Sequence, residues 1–311
     1  MQAHLSRVVK EYGEELINMS NKNIPKGVYP FHYDGEWNRN FDENNVKGKI
    51  IYDRYTKVLA LLDSTAKHFE RRLPKTTLFI DLNENSNLGE LEFPICSISS
   101  NNDFPSSTFL FPDWEYQCHI VNDECYDWNA QKVLAEEHIS DKLKKKQVMY
   151  YRSDRQTNIN KAIEKIVEDN PLFDVKVSSS KKKYEIEPFY EKHKYSYLLS
   201  LPERGVSDFK QLFLCNSLVI KVNDERREFL DLIVKGGEDY LEVPLRERSF
   251  EQDIKLVEKL ERIADRNPRS FNKIKQSGYE KVTSITNATI YKYIKNLIYA
   301  NNKLIRASVY Q

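Results

Sequence analysis

Arg152 and Arg155 lie in the run Tyr150-Tyr151-Arg152-Ser153-Asp154-Arg155-Gln156-Thr157, where an apolar strand pattern gives way to a helical one. A guanidinium presents a fixed fork of donors that fits a phosphate. The carboxyl edge of an open α/β sheet is where such ligands bind, although the same pair also suits surface salt bridges. A second constellation runs from Tyr195 to Leu214. It reads as a buried strand, a loop with Arg204 and Gly205, and a helix capped by Ser207. The free N–H groups of a helix start attract anions, and Arg204 and Lys210 flank this one; an ordinary capped helix is the alternative. In a third, the apolar strand Ser217 to Val222 runs out at Asp224 and Glu225. A carboxylate there can hold the hydroxyls of a ribose, or Asp224 can simply cap the next helix.

The elements that must position these residues follow from periodicity. Met1 to Ser20 mixes charge with apolar residues and reads as an amphipathic helix rather than a signal peptide. Asn21 to Lys49 reads as an irregular loop, Ile50 to Leu73 as a helix, and Thr76 to Leu82 and Glu92 to Ser99 as strands. Trp128 to Lys146 is helical and charged. Beyond it, strands at Val148–Arg152, Phe173–Ser178, Ser196–Leu201, Ser217–Val222 and Tyr240–Pro244 alternate with helices at Asn158–Asp169, Ser207–Asn216 and Glu225–Val234. Helical patterns at Phe250–Ala264, Pro268–Lys281 and Asn287–Ala307 complete the chain. The expected class is α/β with a mostly parallel sheet. The expected divisions are residues 1–145, 146–285 and a terminal helix, 286–311, packing back on the first domain.

Composition removes several functions. With 48 basic and 47 acidic side chains in 311 residues, the chain lacks the basic excess of a nucleic-acid or membrane-surface binder. No apolar stretch reaches membrane-spanning length, so a soluble, cytoplasmic protein is expected. Only 9 glycines are present, which argues against a glycine-rich phosphate loop. The cysteines Cys96, Cys118, Cys125 and Cys215 form no Cys-x-x-Cys pair, so a zinc site is not expected. Disulfides are possible, and Cys215 reads as a plain core thiol.

In order and wording these pieces resemble the CAP10-type glycosyltransferases, glycosyltransferase family 90, which includes protein O-glucosyltransferases and capsule xylosyltransferases. The resemblance rests on Tyr151-Arg152-Ser153-Asp154-Arg155, on His193-Lys194-Tyr195-Ser196-Tyr197-Leu198 and on Phe209-Lys210-Gln211-Leu212-Phe213-Leu214-Cys215-Asn216-Ser217-Leu218-Val219. Asp224-Glu225, Glu228-Phe229 and Tyr240 to Val243 follow. It spans roughly residues 76 to 285 and is strongest from Lys194 to Phe229.

The resemblance implies a GT-B fold, two Rossmann-like domains facing across a cleft. It also implies inverting transfer of xylose or glucose from a UDP-sugar to a hydroxyl of a glycan or protein acceptor. Donor-binding roles then fall to Arg152, Arg155, Arg204, Gly205, Ser207, Phe209, Lys210, Asp224 and Glu225. An Asp follows an apolar strand of the family's first domain as the base; here Glu84 occupies that position, and Asp81 is the competing candidate. Asp113 and Trp114, in the turn Phe111-Pro112-Asp113-Trp114, fall on the acceptor side. No Asp-x-Asp occurs, so no metal is expected, and no cofactor beyond the UDP-sugar substrate. In one departure, the loop before the Phe-Lys helix is shorter and has Asp208 where the family has an arginine. That departure keeps open an alternative, a sugar- or nucleotide-binding protein without catalysis.

Overall fold

The computed structural model describes residues 28–37, 49–82, 95–100, 108–139, 144–153, 157–178, 188–201, 208–223, 227–245 and 250–309. The expected helix at Met1–Ser20 lies outside them. The chain divides into two compact units, Met1–Trp114 with Tyr291–Gln311, and Glu115–Ile290.

The first unit is built on a mixed sheet. Its elements are β1 (Val28–Tyr33), α1 (Lys49–His68), β2 (Thr76–Asp81), β3 (Ile95–Ser97) and β4 (Thr108–Leu110). Spatial order follows chain order, β1 antiparallel to β2 and the other three strands parallel. β1 corrects the expected loop at Asn21–Lys49. Its sequence, Val-Tyr-Pro-Phe-His-Tyr, carries a proline, which argues against a central strand. Proline is tolerated on an edge strand, and β1 is an edge.

The second unit opens with a hairpin, β5 (His119–Val121) and β6 (Glu124–Tyr126), closed by a disulfide between Cys118 and Cys125. Asn122 and Asn-like Asp123 at its tip both have positive φ, 49° and 65°, as a two-residue hairpin turn requires. Next come α2 (Trp128–His138), β7 (Lys146–Ser153), α3 (Asn158–Val167), β8 (Phe173–Val177), β9 (Tyr195–Ser200), α4 (Phe209–Leu214), β10 (Leu218–Asn223), β11 (Leu241–Pro244), α5 (Phe250–Ala264) and α6 (Asn272–Ser284). The last helix, α7 (Asn287–Val309), contributes its residues from Tyr291 onward to the first unit. There Asn301 Nδ2 donates to Thr77 O at 3.1 Å and Tyr293 Oη to Leu110 O at 2.6 Å.

β7 to β11 form one parallel sheet in the order β11-β10-β9-β7-β8. Ile159, Ile163 and Val167 on α3 and Leu256, Val257 and Leu260 on α5 bury against one face of it. Each such side chain contributes about 1.5–3 kcal/mol. Thr157 caps α3 by accepting from Asn160 N at 3.2 Å. On the other face Phe209 and Phe213 of α4 stack edge-on with each other and with Tyr240. α6 closes on them at Gly278, where a methyl group would meet Asp239 O at 2.2 Å and a Phe213 ring carbon at 2.7 Å. Helices on both faces of a parallel sheet make this a doubly wound α/β unit.

The sequence expectation divides the chain at 145/146; the contacts divide it at Trp114/Glu115. The reason is the set of bonds that residues 115–139 make. Trp128 Nε1 donates to Ile285 O at 3.1 Å, and Lys132 Nζ donates to Thr283 O and Ile285 O at 3.0 and 2.6 Å, at the carboxyl end of α6. Two expected helices are also shorter or different. Ser207–Asn216 is helical only over Phe209–Leu214, and its N-cap is Asp208 rather than Ser207. Within the expected helix Glu225–Val234 the described residues are not α-helical: Phe229–Leu232 is a single 3-10 turn, fixed by a capping box between Glu228 and Asp231.

Candidate active site

In both units candidate residues stand at, or follow in sequence, the ends of parallel strands. β2, β3 and β4 end at Asp81, Ser97 and Leu110, and Asp81 pairs with Ser97 and Ser97 with Leu110 across the sheet. Asp81 is fully buried. Burial, and then the Asp81 charge, push the neighbouring Tyr29 hydroxyl up in pKa. Glu84, three residues on, lies outside the described residues. Asp113 and Trp114 follow β4 and are both buried. Arg54 of α1 ties them to the end of β2. Its guanidinium lies 4.7 Å over the Trp114 ring, and its Nη1 donates to Leu82 O at 3.1 Å. Nothing in the spacing of residues singles out Arg54.

In the second unit, strand order reverses between β7 and β9: β8 lies beyond β7, while β10 and β11 lie beyond β9. β7 ends at Ser153, directly before Asp154-Arg155-Gln156; β9 ends at Ser200, just before Pro202 to Ser207. Arg155, Arg204, Gly205, Ser207, Asp224 and Glu225 lie outside the described residues. Arg152 is paired across the sheet. Its Nη1 donates to Asp174 O at 2.6 Å and its Nη2 to Asp174 Oδ1 at 2.7 Å, with the guanidinium 4.6 Å over the Tyr150 ring. Asp208, which stands in for the family's loop arginine, forms an ion pair with the buried Lys192.

Phe209 is fully buried, with the Lys221 ammonium 4.4 Å over its ring. Lys210 turns to Glu115. Its Nζ donates to Glu115 Oε2 at 2.9 Å, and Gln211 Nε2 donates to the same oxygen at 3.0 Å. Gln131 Nε2 donates to Glu115 O at 2.7 Å. Burial alone would raise the Glu115 carboxyl. The Lys210 charge and His119 outweigh it and hold the group well below the usual carboxylate range. Lys210 is thus the counter-ion of Glu115, a partner invisible in sequence because it stands 95 positions away.

Residues 41–311 match the family model described as glycosyl transferase family 90. The chain belongs to glycosyl transferase family 90. A relative within this reach is an O-glucosyltransferase rumi homolog from Anopheles gambiae, 34% identical over 124 residues; the match covers 38% of this family 90 chain and 29% of that protein. Among solved structures, the crystal structure of the GtfA/B complex aligns over 52% of this chain and 37% of that one, at 12% identity and a TM-score of 0.39. Among the described residues of this family 90 chain, no helix is long and apolar enough to cross a membrane.

Proposed function

We propose that this chain transfers a sugar from UDP-glucose or UDP-xylose to a hydroxyl of a glycan or protein acceptor, with inversion at the sugar carbon and without a metal ion. The observation that carries the reading is where the strand order reverses. Ligands of open α/β sheets bind outside the carboxyl ends of the strands at that switch point. The two strands that flank it, β7 and β9, lead directly into the segments that carry Arg155 and Arg204. The name of the Anopheles relative, an O-glucosyltransferase, favours glucose and a hydroxyl acceptor.

On this reading Arg155 and Arg204 hold the diphosphate, with Gly205 and Ser207 in the same segment. Their charge neutralises the leaving UDP in place of a metal. Glu225, with Asp224 beside it, takes the ribose hydroxyls beyond the end of β10. Arg152, Phe209 and Lys210 support these segments through Asp174, Lys221 and Glu115. In the first unit Glu84 or Asp81 removes the acceptor proton, and Asp113 and Trp114 shape the acceptor side. The proposed frame is the GT-B architecture. A second reading, a nucleotide- or sugar-binding protein without catalysis, draws on Asp208, whose carboxylate stands where the family has an arginine and takes up the charge of Lys192.

UDP-glucose or UDP-xylose is expected to raise the melting temperature, with UDP itself doing so as well. A ligand at 100 times its Kd stabilises by about 2.7 kcal/mol. If a thermal-shift titration over a panel of UDP-sugars leaves the midpoint unmoved, the donor assignment is wrong.

A further inference from the structure

A polar row crosses the second unit's sheet at its carboxyl rim. Ser200 on β9 pairs with Lys221 on β10, Lys221 with Glu242 on β11, and Arg152 on β7 with Lys176 on β8. Leu198 pairs with Tyr150. Ser200 and Arg152 each lie two residues beyond that last pair, on neighbouring strands. Side chains alternate between faces along a strand. Leu199 and Leu201 enter the apolar core together with Tyr151, Ile220 and Val222. Ser200, Arg152 and Lys221 therefore share the opposite face, with Ser200 on the strand between those that carry the two cations.

The cations of this row are locked. Asp174 holds Arg152, and Asp231 accepts from Lys221 Nζ at 2.7 and 2.8 Å through its two oxygens. Asp231 is itself fixed, accepting from Glu228 N at 2.8 Å. Ser200 differs. It is 4% exposed, and its hydroxyl has no hydrogen-bond partner among the described residues. It lies on β9, a strand that borders the switch point.

We propose that the Ser200 hydroxyl is a donor-binding group that donates a hydrogen bond to a phosphate oxygen of the nucleoside diphosphate. Arg152 and Lys221, each held in place by its own carboxylate, supply the positive flanks. The inference rests on the nucleotide-sugar reading above and adds a ligand that the family motifs do not single out in this chain.

The test is Ser200→Ala, read by calorimetric titration with UDP and by the melting temperature of the unliganded protein. A hydrogen bond to a charged group is worth enough to weaken UDP about 10-fold or more when it is lost. The unliganded melting temperature should hold, because the variant removes a hydroxyl that makes no hydrogen bond to a described residue. Ser196→Ala is the control: Ser196 is also buried, four positions earlier on the same strand, and its loss should leave UDP affinity unchanged. Unchanged UDP affinity in Ser200→Ala overturns the role of the hydroxyl alone. So does a fall in melting temperature with weaker binding, which marks a structural serine. A wild-type protein that does not bind UDP overturns the nucleotide-sugar reading as well.

Discussion

Glu84→Gln is expected to lower sugar transfer by about 10²–10⁴-fold, the range typical of a lost general base, and to leave UDP affinity unchanged. Glutamine keeps the size and most of the polarity of glutamate but cannot take the acceptor proton at neutral pH. A base must come within hydrogen-bond reach of that proton. Asp81 is the rival, and its position argues for a different task. It is the last residue of β2, fully buried, paired in register with Val28 and Ser97 and close enough to Tyr29 to act on its ionisation. A carboxylate with no exposed surface meets an acceptor hydroxyl only if the strand end opens. Asp81→Asn is therefore expected to lower the melting temperature more than it lowers the turnover of the folded fraction. Steady-state kinetics on both variants, each checked for folding, decides the matter. A fully active Glu84→Gln beside a folded but inactive Asp81→Asn moves the base to Asp81.

Glu115→Ala is expected to destabilise the protein by about 3 kcal/mol, read as a lower urea midpoint with an unchanged slope. Its partner Lys210 is 2% exposed, so the ammonium would stay buried without a counter-ion. Removing one member of a buried pair costs about 3–5 kcal/mol. The low end applies because Glu115 keeps about a quarter of its side chain in contact with solvent. The sign with pH follows from the direction of the shift. Glu115 titrates lower in the folded protein than in the unfolded chain. Its stabilisation is complete above the unfolded carboxyl value, about 4.3, and is lost as pH falls below it. Glu115→Gln should therefore lose less stability than wild type between neutral pH and pH 3. An acid limb identical to wild type would show that the pair carries no such linkage.

The second unit is the part of the fold most legible in sequence. Its five strands are short apolar runs in a buried parallel sheet, and such runs stand out against the charged helices around them. The first unit is less legible for physical reasons. β1 contains Pro30, which is compatible with a strand only because the strand is an edge. The chain divides at Trp114/Glu115 because of contacts more than 150 positions apart, such as Trp128 with Ile285, that no local pattern encodes. At the site, motif spacing identifies Arg152 and Lys210 as cations beside the expected donor. It cannot show that Asp174 and Glu115 occupy them, because both partners come from other elements. The same holds for Lys221, which looks like one charge in an apolar strand and turns out to be clamped by Asp231 over Phe209. Ser200 becomes visible only through sheet order, which sets its strand between those of Arg152 and Lys221.

The most direct test of the central claim is the release of UDP from UDP-glucose and UDP-xylose by the purified chain in the presence of EDTA. Transferases leak some donor to water, so the account predicts UDP formation with at least one of the two sugars, undiminished by the chelator and lost in Glu84→Gln. A folded protein that releases no UDP from any UDP-sugar, with or without divalent ions and acceptor, would contradict it.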